Sequence, residues 1–309
     1  MFDARFVTDA INRSAETEAD RRLFLKSTGL AGLGVMGASL LTTAQPAHAQ
    51  SGGGPSDASV LNFALNLEYL EAEFYQRAVT GEGLSDKDTT GKGDRGEVKG
   101  GRKVDFATKA IRQYAEEIAA DEVAHVKFLR AALGSAAVAR PQIDLDASFT
   151  AAAIAAGLIK AGQTFDPYAN ENNFLLAAYI FEDVGVTAYK GAAPLISNKT
   201  FLEAAAGILA VEAYHASNIR TVLFARELAA PSVAISDARD SLDGPDDLDQ
   251  GVVLDGKANI VPADSNGIAF SRSAAQVLNI VYLTPKKATS GGFFPKGVNG
   301  SINTSGDFA

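Results

Sequence analysis

Two stretches of this 309-residue chain repeat a pattern that sets glutamates on an apolar helix face, and that repeat limits the fold more than any other feature. Leu61, Ala64, Glu68, Tyr75 and Ala78 recur as Leu175, Ala178, Glu182, Tyr189 and Ala192, 114 residues further on. The steps of 3, 4, 7 and 3 residues keep these positions on one stripe of an α-helix. A second pair recurs at an offset of 90: Ile118, Ala120, Glu122, His125, Arg130 and Leu133 match Ile208, Ala210, Glu212, His215, Arg220 and Leu223. Each member of this pair contains Glu-x-x-His, which puts a carboxylate and an imidazole on the same face. The Glu-to-Glu gap is 54 residues in the first copy and 30 in the second. The excess matches the stretch from Thr80 to Lys103, whose seven Gly and eleven charged residues predict a solvated loop. One helical hairpin is therefore present twice, with a surface insertion in the first copy.

Four carboxylates on buried stripes must be neutralised, because an isolated ionised carboxylate in an apolar interior protonates, pairs or binds a cation. Arg130 and Arg220 lie eight residues past Glu122 and Glu212, two turns along, so they are poorly placed as partners. Two metal ions balance the charge, with His125 and His215 as neutral nitrogen ligands. A Glu from each of two helices plus Glu-x-x-His from each of two others is the ligand pattern of di-iron and di-manganese carboxylate bundles. A single Glu-x-x-His carries little weight, but the chain has three His, and both that follow residue 49 sit third after a Glu. The expected metal ligands are Glu68, Glu122, His125, Glu182, Glu212 and His215, holding two iron or two manganese ions; a metal-free relic bundle is the alternative. Glu71, one turn after Glu68, has Gly185 as its counterpart and is either near the metals, as a proton acceptor in catalysis, or on the surface. Tyr75 and Tyr189 read as core side chains with a hydrogen bond.

The helices follow from the same periodicity. They are expected over Ser56–Ala78 with Ser56 as N-cap, Asp105–Leu133 stopped by Gly134, Asn170 to about Ala193, and from the capping-box spacing Thr200/Glu203 to Ala230 before Pro231. A short Ala-rich helix, Ser148–Lys160, falls within a long crossover. Beyond Pro231 the chain reads as loop-rich, with an acidic, turn-rich segment Asp237–Gln250 and one short helix from Ser273 to Leu283. The spacing of Asp237, Asp240, Asp243, Asp246, Asp247 and Asp249 is not that of an EF-hand, so a solvated loop is expected rather than a calcium site.

Asn62-Phe-Ala-Leu-Asn-Leu-Glu-Tyr-Leu-Glu-Ala-Glu-Phe-Tyr75 resembles the first helix of the bacterial and plant desiccation-related ferritin-like proteins. Phe181-Glu-Asp-Val-Gly-Val-Thr-Ala-Tyr-Lys-Gly191 and Gly291-Gly-Phe-Phe-Pro295 extend the resemblance over most of residues 57–300. It implies an all-α, ferritin-like antiparallel four-helix bundle with a long crossover between the second and third helices and an irregular C-terminal extension. It also implies metal binding by the six residues named above.

The amino terminus reads as an address. Arg21-Arg22-x-Phe24-Leu25-Lys26 precedes an uncharged Gly/Ala-rich stretch and the triplet Ala47-His48-Ala49. This is the layout of a twin-arginine export signal, cleaved after Ala49. The twenty residues ahead of the arginines make a long leader, which leaves the true start open. The expected organisation is a signal over residues 1–49, a linker over 50–56, a bundle over 57–230 and an extension over 231–309. The twin-arginine machinery would be a partner, and the location periplasmic or secreted. No stretch has the roughly 20 strongly apolar residues of a membrane span.

The net charge of −9 falls wholly after residue 49, which argues against nucleic-acid binding. Cys is absent, removing thiol chemistry and disulfides, and both Met residues precede residue 50. A mature chain without Met, Cys or Trp suits a life beside oxidants. Three function classes fit. One is a dinuclear oxidoreductase (catalase-like or ferroxidase-like) acting on peroxide or oxygen in oxidative or desiccation stress. The others are an iron-sequestering protein and a non-catalytic desiccation-protective protein. A homo-oligomer is compatible with each.

Overall fold

A computed structural model describes residues 54–309. The predicted export signal, residues 1–49, lies outside the described residues. Among the described residues there are seven α-helices: α1 Asp57–Thr80, α2 Lys109–Leu133, α3 Ala147–Ala155, α4 Glu171–Ala192, α5 Lys199–Ala225, α6 Ala229–Asp243 and α7 Ala274–Tyr282. Four two-residue strands accompany them. β1 Val98–Lys99 pairs in parallel with β2 Ile143–Asp144, and β3 Val253–Leu254 pairs antiparallel with β4 Lys257–Ala258. Among the described residues no helix is long and apolar enough to cross a membrane.

The fold is all-α, a ferritin-like bundle of α1, α2, α4 and α5. In the α1–α2 hairpin, Asn62 near the start of α1 bonds Ala136 just past the end of α2, while Ala78 near the end of α1 accepts from Val104 just ahead of α2. The two helices therefore run antiparallel. The α4–α5 hairpin closes likewise, with Arg226 after α5 paired to Glu171 at the start of α4, 2.9 Å apart. Caps set the starts. Ser56 accepts from the amide of Ser59, Asn170 from that of Asn173, and Asn198 from those of Thr200 and Phe201, satisfying amides that have no partner within the helix. Asn198 thus opens α5, in place of the expected capping box at Thr200.

The crossover from α2 to α4, residues 134–170, carries α3 and β2. It sits over an aromatic cluster in which Phe74, Phe149, Phe174, Phe181 and Phe293 meet at centroid distances of 5.0–5.6 Å. Phe293 comes from the C-terminal extension, through a turn only glycine allows. Gly291 and Gly292 have φ of 150° and 44°, and an added Cβ would lie 2.7 Å from Tyr282 O and 2.5 Å from Val281 O respectively.

The sequence reading requires correction in three places. Pro231 does not end the helical region; it falls at the third position of α6, where its missing amide would have no helical partner anyway. Asp237–Asp243 is accordingly helical rather than turn-rich. Asp243 and Asp249 are buried, not solvated: Arg272 pairs with both, and Arg239 pairs with Asp249 at 2.5 Å and with Asp183 at 3.0 Å. The Gly-rich insertion is largely exposed yet fastened. Arg130 donates to the carbonyls of Lys87 and Thr90, Arg140 to that of Gly96, and β1 adds to β2.

Arg272 is fully buried between two carboxylates, so Arg272→Ala leaves Asp243 without a countercharge and Asp249 with Arg239 alone. Urea unfolding of that variant is expected to show a loss of about 3–5 kcal/mol. A loss below about 1 kcal/mol would show that the extension is only loosely tied to the bundle.

Candidate metal centre

Each long helix of the bundle delivers acid to the same point. α1 brings Glu68 and Glu71, α2 brings Glu122 and His125, α4 brings Glu182, and α5 brings Glu212 and His215. Glu68, Glu122 and Glu212 have no exposed surface, Glu182 has 1% and Glu71 has 5%. Their ligand atoms form two overlapping groups. In Glu68, Glu122, His125 and Glu212 one atom per residue lies within 4.8 Å of all the others, and Glu122, Glu182, Glu212 and His215 do the same. Glu122 and Glu212 belong to both, so they occupy the middle, with Glu68–His125 on one side and Glu182–His215 on the other.

Both imidazoles turn Nδ1 inward. His125 Nδ1 is 3.2 Å from Glu68 and 3.7 Å from Glu122, and His215 Nδ1 is 3.2 Å from Glu122 and 3.5 Å from Glu182. The rings lie 6.5 Å apart, centroid to centroid. The tyrosines cross the repeat. Tyr75 of α1 donates to Glu182 of α4, and Tyr189 of α4 donates to Glu68 of α1. Each holds one oxygen of its carboxylate and leaves the other for the centre. Arg130 and Arg220 serve elsewhere, the first on the insertion and Tyr69, the second on Asp183 and the carbonyls of Gln250, Gly251 and Asn259.

Whether a metal fits can be decided from the unsatisfied atoms. Glu68 Oε2, both oxygens of Glu122 and Glu212, Glu182 Oε2, His125 Nδ1 and His215 Nδ1 are buried and make no hydrogen bond. Buried polar atoms are almost always paired, so this many around one point call for a cation or protons. An oxygen-rich donor set with two imidazoles suits iron or manganese.

Without a cation the cluster is held by protons. Burial, then repulsion from Glu122 and its neighbours, pushes Glu71 and Glu212 well above the usual carboxylate range. Burial raises Glu68 to about 7 despite His125. For Glu122 burial acts upward, but the close approach and charge of His125 and His215 outweigh it and bring the carboxyl to about 2. Burial acts downward on the imidazoles, yet the surrounding glutamates raise His125 to about 11 and His215 to about 12.

The structure brings all six residues singled out as ligands into this cluster, and Glu71 beside them. Glu71 is not on the surface. It lines a small apolar cavity of about 40 Å³ between α1 and α4, with Ala64, Leu67, Val184 and Ala188 among the walls. The floor between cavity and cluster depends on Gly185, where a Cβ would lie 2.3 Å from Glu212 Oε2 and 3.5 Å from Glu71 Oε1. A glycine in the middle of an apolar helix was the available signal for that contact. Asp121, whose Oδ2 is 3.1 Å from His215 Nε2, gave no such signal, since an Asp next to a Glu on a helix usually faces water.

A four-helix bundle with a buried Glu/His cluster at its centre defines a class, the ferritin-like carboxylate bundles. Within it, the ferritin-like domain family matches residues 56–225, and the chain belongs to the desiccation-related branch of that family. Among its relatives is the desiccation-related protein PCC13-62 of Craterostigma plantagineum, 31% identical over 269 residues, covering 79% of this chain and 83% of the relative. Another is the ferritin-like catalase Nec2 of Nesocodon mauritianus, 28% identical over 266 residues, covering 80% and 85%. No solved structure matches.

Metal binding requires neutral imidazoles, and both are protonated at pH 7 in the metal-free cluster. Loading should therefore expel about two or more protons per chain, and affinity should rise with pH. Calorimetric titration with Mn(II) in buffers of different ionisation enthalpy reads that number. A heat independent of buffer would contradict it.

Proposed function

We propose that the cluster holds two metal ions, iron or manganese, and that the protein removes peroxide or reduces oxygen outside the cytoplasm as part of oxidative or desiccation stress defence. The observation that carries this reading is the ring of buried, unsatisfied carboxylate and imidazole atoms. The name of one relative, ferritin-like catalase, agrees with it, as does a chain free of Met, Cys and Trp beyond residue 49. Two neighbouring redox-active ions supply a two-electron change, which suits cleavage or formation of an O–O bond.

The chain's own residues do the rest. Tyr75 and Tyr189 fix the orientation of Glu182 and Glu68, so that each presents one free oxygen inward. Glu71 makes no hydrogen bond to the described residues and stands between cavity and cluster. From that position its carboxylate can take a proton from peroxide and return it to a leaving oxygen. The apolar walls of the cavity admit a small uncharged oxidant and disfavour hydrated ions. Export already folded, by the twin-arginine route, would let the centre be loaded before the chain meets the metals of the envelope.

The name of the other relative, a desiccation-related protein, favours the second reading, a protective or iron-sequestering role without turnover. Elemental analysis and an oxygen electrode separate the two. The enzyme reading expects two ions per chain and oxygen release from peroxide, with Glu71→Gln keeping both ions and losing about 10²–10⁴-fold in rate. A protein that carries two ions yet neither consumes peroxide nor oxidises ferrous iron is protective rather than catalytic.

A further inference from the structure

The internal repeat makes the two halves of the centre near copies, so the positions where the copies differ show what distinguishes them. At an offset of 90, Glu122 corresponds to Glu212 and His125 to His215, and the residue before each Glu is Asp121 in one copy and Val211 in the other. The pseudo-twofold relation exchanges α2 and α5. His215 of α5 lies beside Asp121 of α2, so the same relation assigns position 211 of α5 as the counterpart opposite His125 of α2.

The consequence is chemical. His215 Nδ1 points into the cluster and its Nε2 lies 3.1 Å from Asp121 Oδ2. An imidazole donating to a carboxylate through one nitrogen is fixed in the tautomer that leaves the other nitrogen free for a metal, and it is a better donor for it. His125 turns Nδ1 inward in the same way, but its Nε2 has no hydrogen-bond partner among the described residues, and Val211 offers no acceptor.

Resting on the metal reading above, we propose that the two halves are unequal seats. Asp121 is a positioning residue that makes the Glu182–His215 half the tighter one, and the Glu68–His125 half, opposite Val211, is the weaker and more exchangeable. The first ion enters beside His215. The second is bound without carboxylate support on its histidine, so the centre passes through a singly loaded state over a range of metal concentration.

Repulsion between two cations also weakens a second binding step, but it does not tie either step to a particular residue, and variants separate the two causes. Mn(II) titration by calorimetry on the full chain reads both steps. Asp121→Val should weaken the first step by about 10–100-fold and bring the two affinities together. Asp121→Asn, which keeps a side-chain oxygen able to accept from the imidazole, should restore much of the loss. Val211→Asp, which supplies the missing acceptor to His125, should strengthen the second step. Asp121 is half-exposed, so thermal unfolding of its metal-free variants should match the unsubstituted chain and show that the fold is unaffected. Two ions bound with the first step unmoved in Asp121→Val overturns this inference and leaves the metal reading standing. Failure of the unsubstituted chain to bind Mn(II), ferrous iron or any other divalent ion overturns both.

Discussion

Five glutamates in the interior of one bundle, with no Lys or Arg among the described residues beside them, is the constraint on which the rest of this structure turns. The chain pairs its other buried acids. Glu73 has Arg77 and Arg140, Asp183 has Arg220 and Arg239, Asp249 has Arg239 and Arg272, and Asp243 has Arg272. Against that habit, Glu68, Glu71, Glu122, Glu182 and Glu212 are left with two histidines and two phenols. Leaving a buried charge unpaired costs several kcal/mol. Arg130 and Arg220 lie two turns away and are spent on the insertion, Tyr69, Asp183 and loop carbonyls, which leaves this site open to something other than a basic side chain.

The surrounding architecture buries that site and ties its helices together. The aromatic cluster packs one end of the bundle, and the extension inserts Phe293 into it through a glycine turn. Arg220 and Arg239 bind Asp183, the residue next to Glu182, to the segment that follows α5, so the backbone bearing a centre residue is held from outside the bundle. Tyr75 and Tyr189 couple the two copies of the hairpin, each restraining the other's glutamate. These contacts wall the site, and on one side it borders the apolar cavity that ends at Glu71 and Gly185.

The bundle and the cluster were legible in the sequence because both are periodic. Glu68 and Glu182 lie on apolar stripes in matching context, and two Glu-x-x-His runs in a chain with so few histidines are not independent accidents. What was not legible depends on partners far away in the chain. Pro231 resembles a stop until the next helix begins before it. Asp243 and Asp249 look like solvated turn residues until Arg272 reaches them. Glu171 looks like an ordinary first-turn acid, but it accepts from the amide and hydroxyl of Thr108 at the head of α2. Asp121 likewise acquires a role only when α5 is laid against α2.

The central claim is that cations, rather than protons, balance these buried carboxylates in the working protein. Anomalous X-ray diffraction on crystals of protein isolated from its native source, recorded above and below the manganese and iron edges, tests it most directly. The account predicts two anomalous peaks inside the bundle, one between Glu68 and His125 and one between Glu182 and His215, with Glu122 and Glu212 touching both. A cluster with no anomalous density, its carboxylates bridged only by water and protons, would contradict it.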